Sequence, residues 1–327
     1  DDLKRPHCRF NIRYEDGFAA VLPHLSTMKN AANLFALRSA QLLSKGDTTG
    51  AWQDTLNGIR LGEQLQTEPF LISQLVRIAI LEMNFQTYWE GQINNQWSAE
   101  QLTAFQQIFQ SIDLLAGMES AIRAERNMIN HWFTSVAQGG TQNQGFDESI
   151  SSLDFFPAIF FYSNQYQINL ILTEIILPGI DVSNHKLNVH QFKKMEEEIM
   201  DLKSSFIPFR HAIALMMLPG LDKYALKVSQ TQAALDQSAI VAALERYRLA
   251  EGSYPEKLTA LTPKFIAKIP GDLFHDQGLV YRINEDDSFT LYSTGYNGTD
   301  DGGEFLISGE SIDFAKGDWP WPQKVAE

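Results

Sequence analysis

The chain has 327 residues, of which 44% are hydrophobic, a net charge of −14 and a single cysteine. Length and apolar content suit one to three domains with sizeable cores, and the negative charge argues against nucleic acid or an anionic membrane as the main partner. Cys8 alone excludes an intrachain disulfide, and no apolar run reaches the length of a membrane span.

No signal peptide is visible, but the chain begins Asp1-Asp2 rather than with Met, which leaves open a signal or anchor removed before that point. Residues 1–23 are mixed and irregular. Residues 24–45 read as a first helix, on which Leu34, Phe35, Arg38 and Leu42 form a stripe. Gly46 ends it, and Asp47 can accept from the free N–H groups that open a second helix. There Ala51, Thr55, Gly58 and Gly62 form a small-residue stripe, which lets a neighbouring helix come close. The turn from Gly46 through Asp47, Thr48, Thr49 and Gly50 to Ala51 resembles that of a single tetratricopeptide-type hairpin; an ordinary antiparallel helix pair is the alternative.

Pro69 starts a third helix with a stripe of Ile72, Leu75, Val76, Ala79, Ile80 and Met83. Ser98 and Gln101 form a capping-box pattern before the fourth, whose Leu102, Phe105, Phe109 and Ile112 face a core. The fifth carries Leu115, Met118, Ile122, Ile129, Trp132, Phe133 and Val136. Residues 138–152 make a polar, Gly-rich loop without the Gly-Lys-Ser/Thr of a phosphate-binding loop. Residues 155–226 are helical again. Two segments there end alike, Leu177-Pro178-Gly179-Ile180-Asp181 and Leu218-Pro219-Gly220-Leu221-Asp222, as in a duplicated helix–turn unit.

Catalytic signatures are sparse. His185 and His190 lie five apart in a polar stretch, which favours a surface over a zinc site, and no Gly-x-Ser-x-Gly elbow is present. Two charges stand out because they fall on apolar stripes: Arg38 on the first helix, and Glu125 between Ile122 and Ile129 on the fifth. Buried charges are costly unless paired. Both are therefore expected to be structural, paired with each other or with neighbours such as Arg123 or Glu119. A ligand-holding or acid–base role for Arg38 and Glu125 is the other reading.

The last hundred residues have a different texture. Residues 228–249 lack Gly and Pro and place Ala233, Ile240, Leu244 and Tyr247 at helical spacing. Gly252 predicts a left-handed stop, and Tyr254-Pro255 prevents continuation. Residues 279–283 and 289–292 read as strands joined by the hairpin loop 284–288. A loop rich in Gly, Asn and Asp follows.

This order resembles the globular domain of type II secretion major pseudopilins. That family closes its long helix with Tyr, Gly and a Tyr-Pro pair, here Tyr247, Gly252, Tyr254 and Pro255. Its next landmark, Leu-Pro-x-Asp-Pro-Trp-Gly, is represented by Ile269, Pro270, Asp272, Leu273 and Phe274. Its loop Tyr-Ser-Leu-Gly-Ala-Asp-Gly, then Gly-Gly, Asp and Trp, is matched by Tyr292, Ser293, Thr294, Gly295, Tyr296, Asn297 and Gly298, then Gly302, Gly303, Asp318 and Trp319. The resemblance implies a Ca²⁺ loop with Asn297, Asp300, Asp301 and Asp318 as side-chain ligands, and a carbonyl near Thr294. Ca²⁺ takes about six to eight oxygen ligands of these kinds. Without the resemblance, the same residues read as an acidic turn. Asn297 stands where the family has Asp, and residues 304–317 form a longer insertion. The family's apolar assembly helix is missing from this position, so pilus-like polymerisation is not implied.

The expected architecture is α+β: an α-helical domain over residues 1–226, then a pseudopilin-like module over 227–327. The expected function is non-catalytic binding or scaffolding of a protein partner in the bacterial envelope, with Ca²⁺ as a structural ion. The alternative is a helical enzyme or small-ligand binder with a polar interior around Arg38 and Glu125. A deep polar pocket between the first and fifth helices would favour the alternative, and a filled core would favour the scaffold.

Overall fold

The computed structural model describes residues 8–137, 157–204, 208–308 and 311–322. Helices α1 (Pro23–Ser44) and α2 (Thr48–Glu63) form a hairpin. Gly46 makes the turn at φ +79°, and Asp47 caps α2 by accepting from Gly50 N–H at 2.9 Å. The small residues Ala51, Thr55, Gly58 and Gly62 are all buried, as their spacing predicts. A Cβ added to Gly58 would fall 1.8 Å from Asn84 Oδ1, so α2 lies against α3 (Leu71–Ile93) almost backbone to backbone.

One expected face is wrong and another is only partly right. On α1 the buried residues are Leu25, Met28, Ala32, Ser39 and Leu43, whereas Leu34 and Leu37 are exposed. On α3 the expected Ile80 is buried and Val76 and Met83 pack beside it, but the main buried face is Gln74, Arg77, Ile78, Leu81, Asn84, Phe85 and Tyr88, and Ile72 and Leu75 are exposed. Both helices carry apolar residues on more than one side. Periodicity then leaves the face open, and the packing partner decides it.

Helix α4 (Ala99–Ser111) begins with the expected capping box of Ser98 and Gln101. Its Phe105 and Phe109 meet Tyr88 of α3 edge-on, with ring centres 4.9 and 4.8 Å apart. Helix α5 (Leu114–Ala137) buries Leu115, Met118, Ile122, Ile129, Trp132 and Phe133 as expected. The Gly-rich loop 138–152 lies outside the described residues.

Helix α6 (Ala158–Leu170) runs into a π-helical turn, Ile171–Ile176, and a 3₁₀ turn, Leu177–Gly179. A minimal hairpin of β1 (Ile180–Asp181) and β2 (Lys186–Leu187) leads to α7 (Val189–Ser204). The two Leu-Pro-Gly segments are not a duplicated turn. The first ends a helix, but the second lies inside α8 (Ala212–Glu251), which continues through it.

Helix α8 organises the molecule. Its 40 residues span about 60 Å. The boundary expected between residues 226 and 227 falls within it. Residues Ala239, Ile240, Val241, Ala242, Ala243 and Leu244 are buried all round, because α4 covers one side and the C-terminal sheet another. Tyr88 Oη donates to Ser238 O at 3.2 Å, and Gln237 Nε2 donates to Trp319 O at 2.7 Å. Gly252 then stops the helix at φ 87°.

Strands β3 (Val280–Ile283), β4 (Phe289–Ser293) and β7 (Trp319–Trp321) form an antiparallel sheet in the order β3-β4-β7. Val280 stands opposite Tyr292, and Tyr292 opposite Pro320. Much of the expected insertion forms its own hairpin, β5 (Phe305–Ser308) with β6 (Ser311–Gly317). One apolar core runs from Leu43 to Trp319, and a second beneath the sheet joins Ile240 and Leu244 to Phe265, Ile266 and Leu291. The fold is thus α+β, mostly helical with a small antiparallel sheet near the C-terminus. Among the described residues, no helix is long and apolar enough to cross a membrane.

Candidate functional site

The polar loop after β4 folds around one carboxylate. Asp318, between β6 and β7, is fully buried. Its Oδ2 accepts from Gly303 N–H at 2.6 Å and Asp301 N–H at 3.0 Å, while its Oδ1 has no partner. Burial pushes the Asp318 carboxyl above the usual range; the two N–H donors pull it back, and the charges of Asp300 and Asp301 push it further up.

The other loop residues ring this group. Asp300 Oδ1 accepts from Tyr292 Oη at 2.9 Å and Gly302 N–H at 3.0 Å, and the backbone N–H chiefly holds Asp300 low. Burial first, then the bond to Asp300, pushes the Tyr292 hydroxyl up to about 12. Asn297 Oδ1 accepts from Thr299 N–H at 2.9 Å, and its Nδ2 reaches Asp301 Oδ2 at 3.3 Å. Glycine is required at two of the turns. At Gly295, with φ +66°, a Cβ would lie 2.7 Å from Gly317 O. At Gly303, with φ +87°, it would press on the Tyr292 ring at 3.1 Å.

The structure thus brings Asn297, Asp300, Asp301 and Asp318 into one loop. The hard oxygen donors suit Ca²⁺, and the unpartnered Asp318 Oδ1 is an acceptor in need of a donor or cation. Among the described residues, however, no three or more His, Cys, Asp or Glu side chains are grouped so that they could hold a metal ion. Main-chain carbonyls and the Asn297 amide would have to complete a ligand set.

Arg38 and Glu125 are not brought together. Arg38 is exposed on α1 and grips the buried carboxylate of Asp54 on α2 through Nε and Nη2. Arg123 pairs with Glu119 instead of Glu125. Glu125 is half-buried and has no partner among the described residues, so burial alone pushes it up to about 7. Helix α1 packs on α2 and α3, so the pocket looked for between the first and fifth helices does not form.

The buried ion pair expected of Arg38 and Glu125 exists elsewhere. Arg77 on α3 is 1% exposed and binds Glu63 of α2 with two bonds of 2.8 Å, Nε to Oε1 and Nη2 to Oε2. Its Nη1 reaches Gln74 Oε1 at 3.2 Å and Asp113 O at 3.4 Å. The sequence carried one signal for it: Gln74, Arg77, Leu81 and Asn84 share one helix face.

Two cavities accompany these groups. A groove of about 240 Å³ between α3 and α8 is lined by Leu81, Phe85, Trp89, Leu235 and Phe314, with the Glu82–Lys227 pair at 2.8 Å on its polar side. A second, of about 170 Å³, contains Glu125. The chain matches no protein-family model, no curated protein and no solved structure.

Proposed function

We propose that the chain is a non-catalytic binding or scaffolding protein of the bacterial envelope, with a pseudopilin-like C-terminal module ordered by Ca²⁺. The observation that carries the ion is Asp318: a fully buried carboxylate with one oxygen unpartnered, in a loop that also holds Asn297, Asp300 and Asp301. The order of elements supports the family reading: a helix stopped by left-handed Gly252, an antiparallel β3–β4 pair, the Gly-rich loop, and Trp319 on the closing strand. The scaffold is supported by the continuous apolar core that ties helices to sheet, and by Arg38 facing solvent rather than a polar interior.

In this reading Ca²⁺ supplies a divalent charge that offsets the loop's carboxylates. Asp318, Asp300, Asp301 and Asn297 would hold it, with main-chain carbonyls completing the set. Asp318 fixes the loop by accepting from Asp301 and Gly303, and so ties β7 to the turn after β4. The placement in the envelope rests on the resemblance and on the weak affinity of extracellular calcium modules, which fill only where the ion is plentiful.

Thermal melting of the full chain in EDTA and in rising Ca²⁺ tests this. The transition should rise with calcium concentration, as for any ligand that binds the folded state. Mg²⁺ should substitute poorly, because it demands tighter octahedral geometry. Asp318→Ala should make added calcium ineffective. No calcium-dependent shift and no heat of binding would leave an acidic turn and overturn the reading.

A further inference from the structure

Four helices meet at the cavity that contains Glu125. Leu71 and Leu75 come from α3, Glu125 and Ile129 from α5, and Ile168 from α6 just before its π-helical turn. Helix α8 adds Met217, Gly220, Leu221 and Tyr224, which recur at helical spacing on one face. The walls are apolar apart from two groups. Tyr224 is 3% exposed, yet its hydroxyl has no hydrogen-bond partner. Glu125 likewise has no partner among the described residues. The cation whose charge acts on Tyr224 is Arg77, which is already committed to Glu63.

Such a pairing is costly unless something completes it. A buried hydroxyl without a partner carries its full desolvation penalty, and a carboxylate in an apolar wall is disfavoured as an anion. A well-packed protein with no use for the site would be served better by Leu and Phe at these positions. Volume limits what the missing partner can be. An apolar cavity of about 150 Å³ accepts one aromatic ring, and this one has about 170 Å³. Gly220 leaves its own side open, since a Cβ there would meet nothing within 4 Å. Nearby π-helical turns often accompany functional sites.

We propose that this cavity is a binding site for a small apolar amine, one ring or branched alkyl group with a single ammonium. The apolar body fills the space between Leu71, Ile129, Ile168 and Leu221. The ammonium bonds Glu125, and Tyr224 Oη is left to pair with a polar atom of the ligand or with the Glu125 carboxylate. No ion pair among the described residues involves Glu125, and burial raises its affinity for protons; a bound ammonium would supply the counter-charge its anion lacks. This inference does not depend on the calcium loop.

The test uses benzylamine as probe and benzyl alcohol as its uncharged counterpart, by calorimetry on the full chain at pH 8. Benzylamine should bind with a fragment's affinity, between about 10 µM and 1 mM, and about tenfold or more tighter than the alcohol. Glu125→Gln keeps the shape and should erase that preference. Gly220→Leu narrows the opening, suits a helix better than Gly, and should abolish binding of both probes. Melting curves report whether each variant is folded; if Glu125→Gln is not, Glu125→Met replaces it. Absence of benzylamine binding to the unsubstituted chain would overturn the proposal. So would equal binding by folded Glu125→Gln, or undiminished binding by folded Gly220→Leu.

Discussion

Around α4 the helices are held by rings in contact: Tyr88 with Phe105 and Phe109, Trp97 with Phe105, and Phe85 with Phe109, all with centres 4.8 to 5.2 Å apart. Beyond Gly252 the chain makes tight turns instead. Among the described residues, seven of the nine glycines with positive φ lie after residue 250. There Trp319 is the large fully buried anchor, held edge-on by Phe274 and Phe314 at 5.1 and 5.7 Å. The small apolar core beneath the sheet and backbone N–H bonds to carboxylates supply much of the rest. The helical region spreads its cohesion over many interchangeable apolar contacts, and the sheet module concentrates it in a few.

That contrast can be broken by single substitutions. The largest effect is expected from Trp319→Ala, which should cost about 3–5 kcal/mol in urea unfolding. The same change at one ring of the α4 cluster should cost less if its neighbours close the gap; an equal cost would erase the distinction. Glu63→Ala should follow at about 3 kcal/mol, because it strands the buried Arg77 guanidinium in the helical region. Arg77→Met combined with Glu63→Ala should recover most of that loss.

Glu125 comes next, and its sign is opposite to that of a paired acid. Its folded-state pKa of about 7 lies above the ordinary 4.5, so the folded chain holds this proton more tightly. Its contribution is therefore full below pH 4.5 and is lost as pH rises through about 7. After screening, the loss should amount to about 1–3 kcal/mol, and Glu125→Gln should flatten that part of the stability curve. The smallest effect belongs to Asp47→Ala, about 1 kcal/mol for the lost cap of α2.

Local chemistry was legible in the sequence where it is self-contained. Asp47, the Ser98–Gln101 box, Gly252 and the β3–β4 hairpin each act within a few residues, and each is found as read. The small-residue stripe of α2 was also legible, because glycine permits only one kind of neighbour that close. The faces of α1 and α3 were not, since both helices are apolar on several sides. Arg38 illustrates the consequence. One residue's rotation, about 100° around α1, separates buried Ser39 from exposed Arg38 and turns an expected core charge into a surface grip on Asp54. Glu125 was correctly placed on the inner stripe of α5, but the cavity it shares with Tyr224 was not foreseen, because Tyr224 lies about a hundred residues away on α8.

The position of α8 sets a timetable for the nascent chain. Tyr88 waits for Ser238, Leu114 for Gln232, and Gln106 for Phe265, separations of 150, 118 and 159 residues. At a synthesis rate of about 5–20 residues per second, α3 and α4 leave the ribosome roughly 6–30 s before the segments that cover them. During that interval Phe105 and Phe109 have only their nearest helices for company. A chain stopped at residue 211 should therefore bind chaperones or aggregate, while one stopped after residue 322 should not, and ribosome-bound chains of the two lengths would show the difference directly.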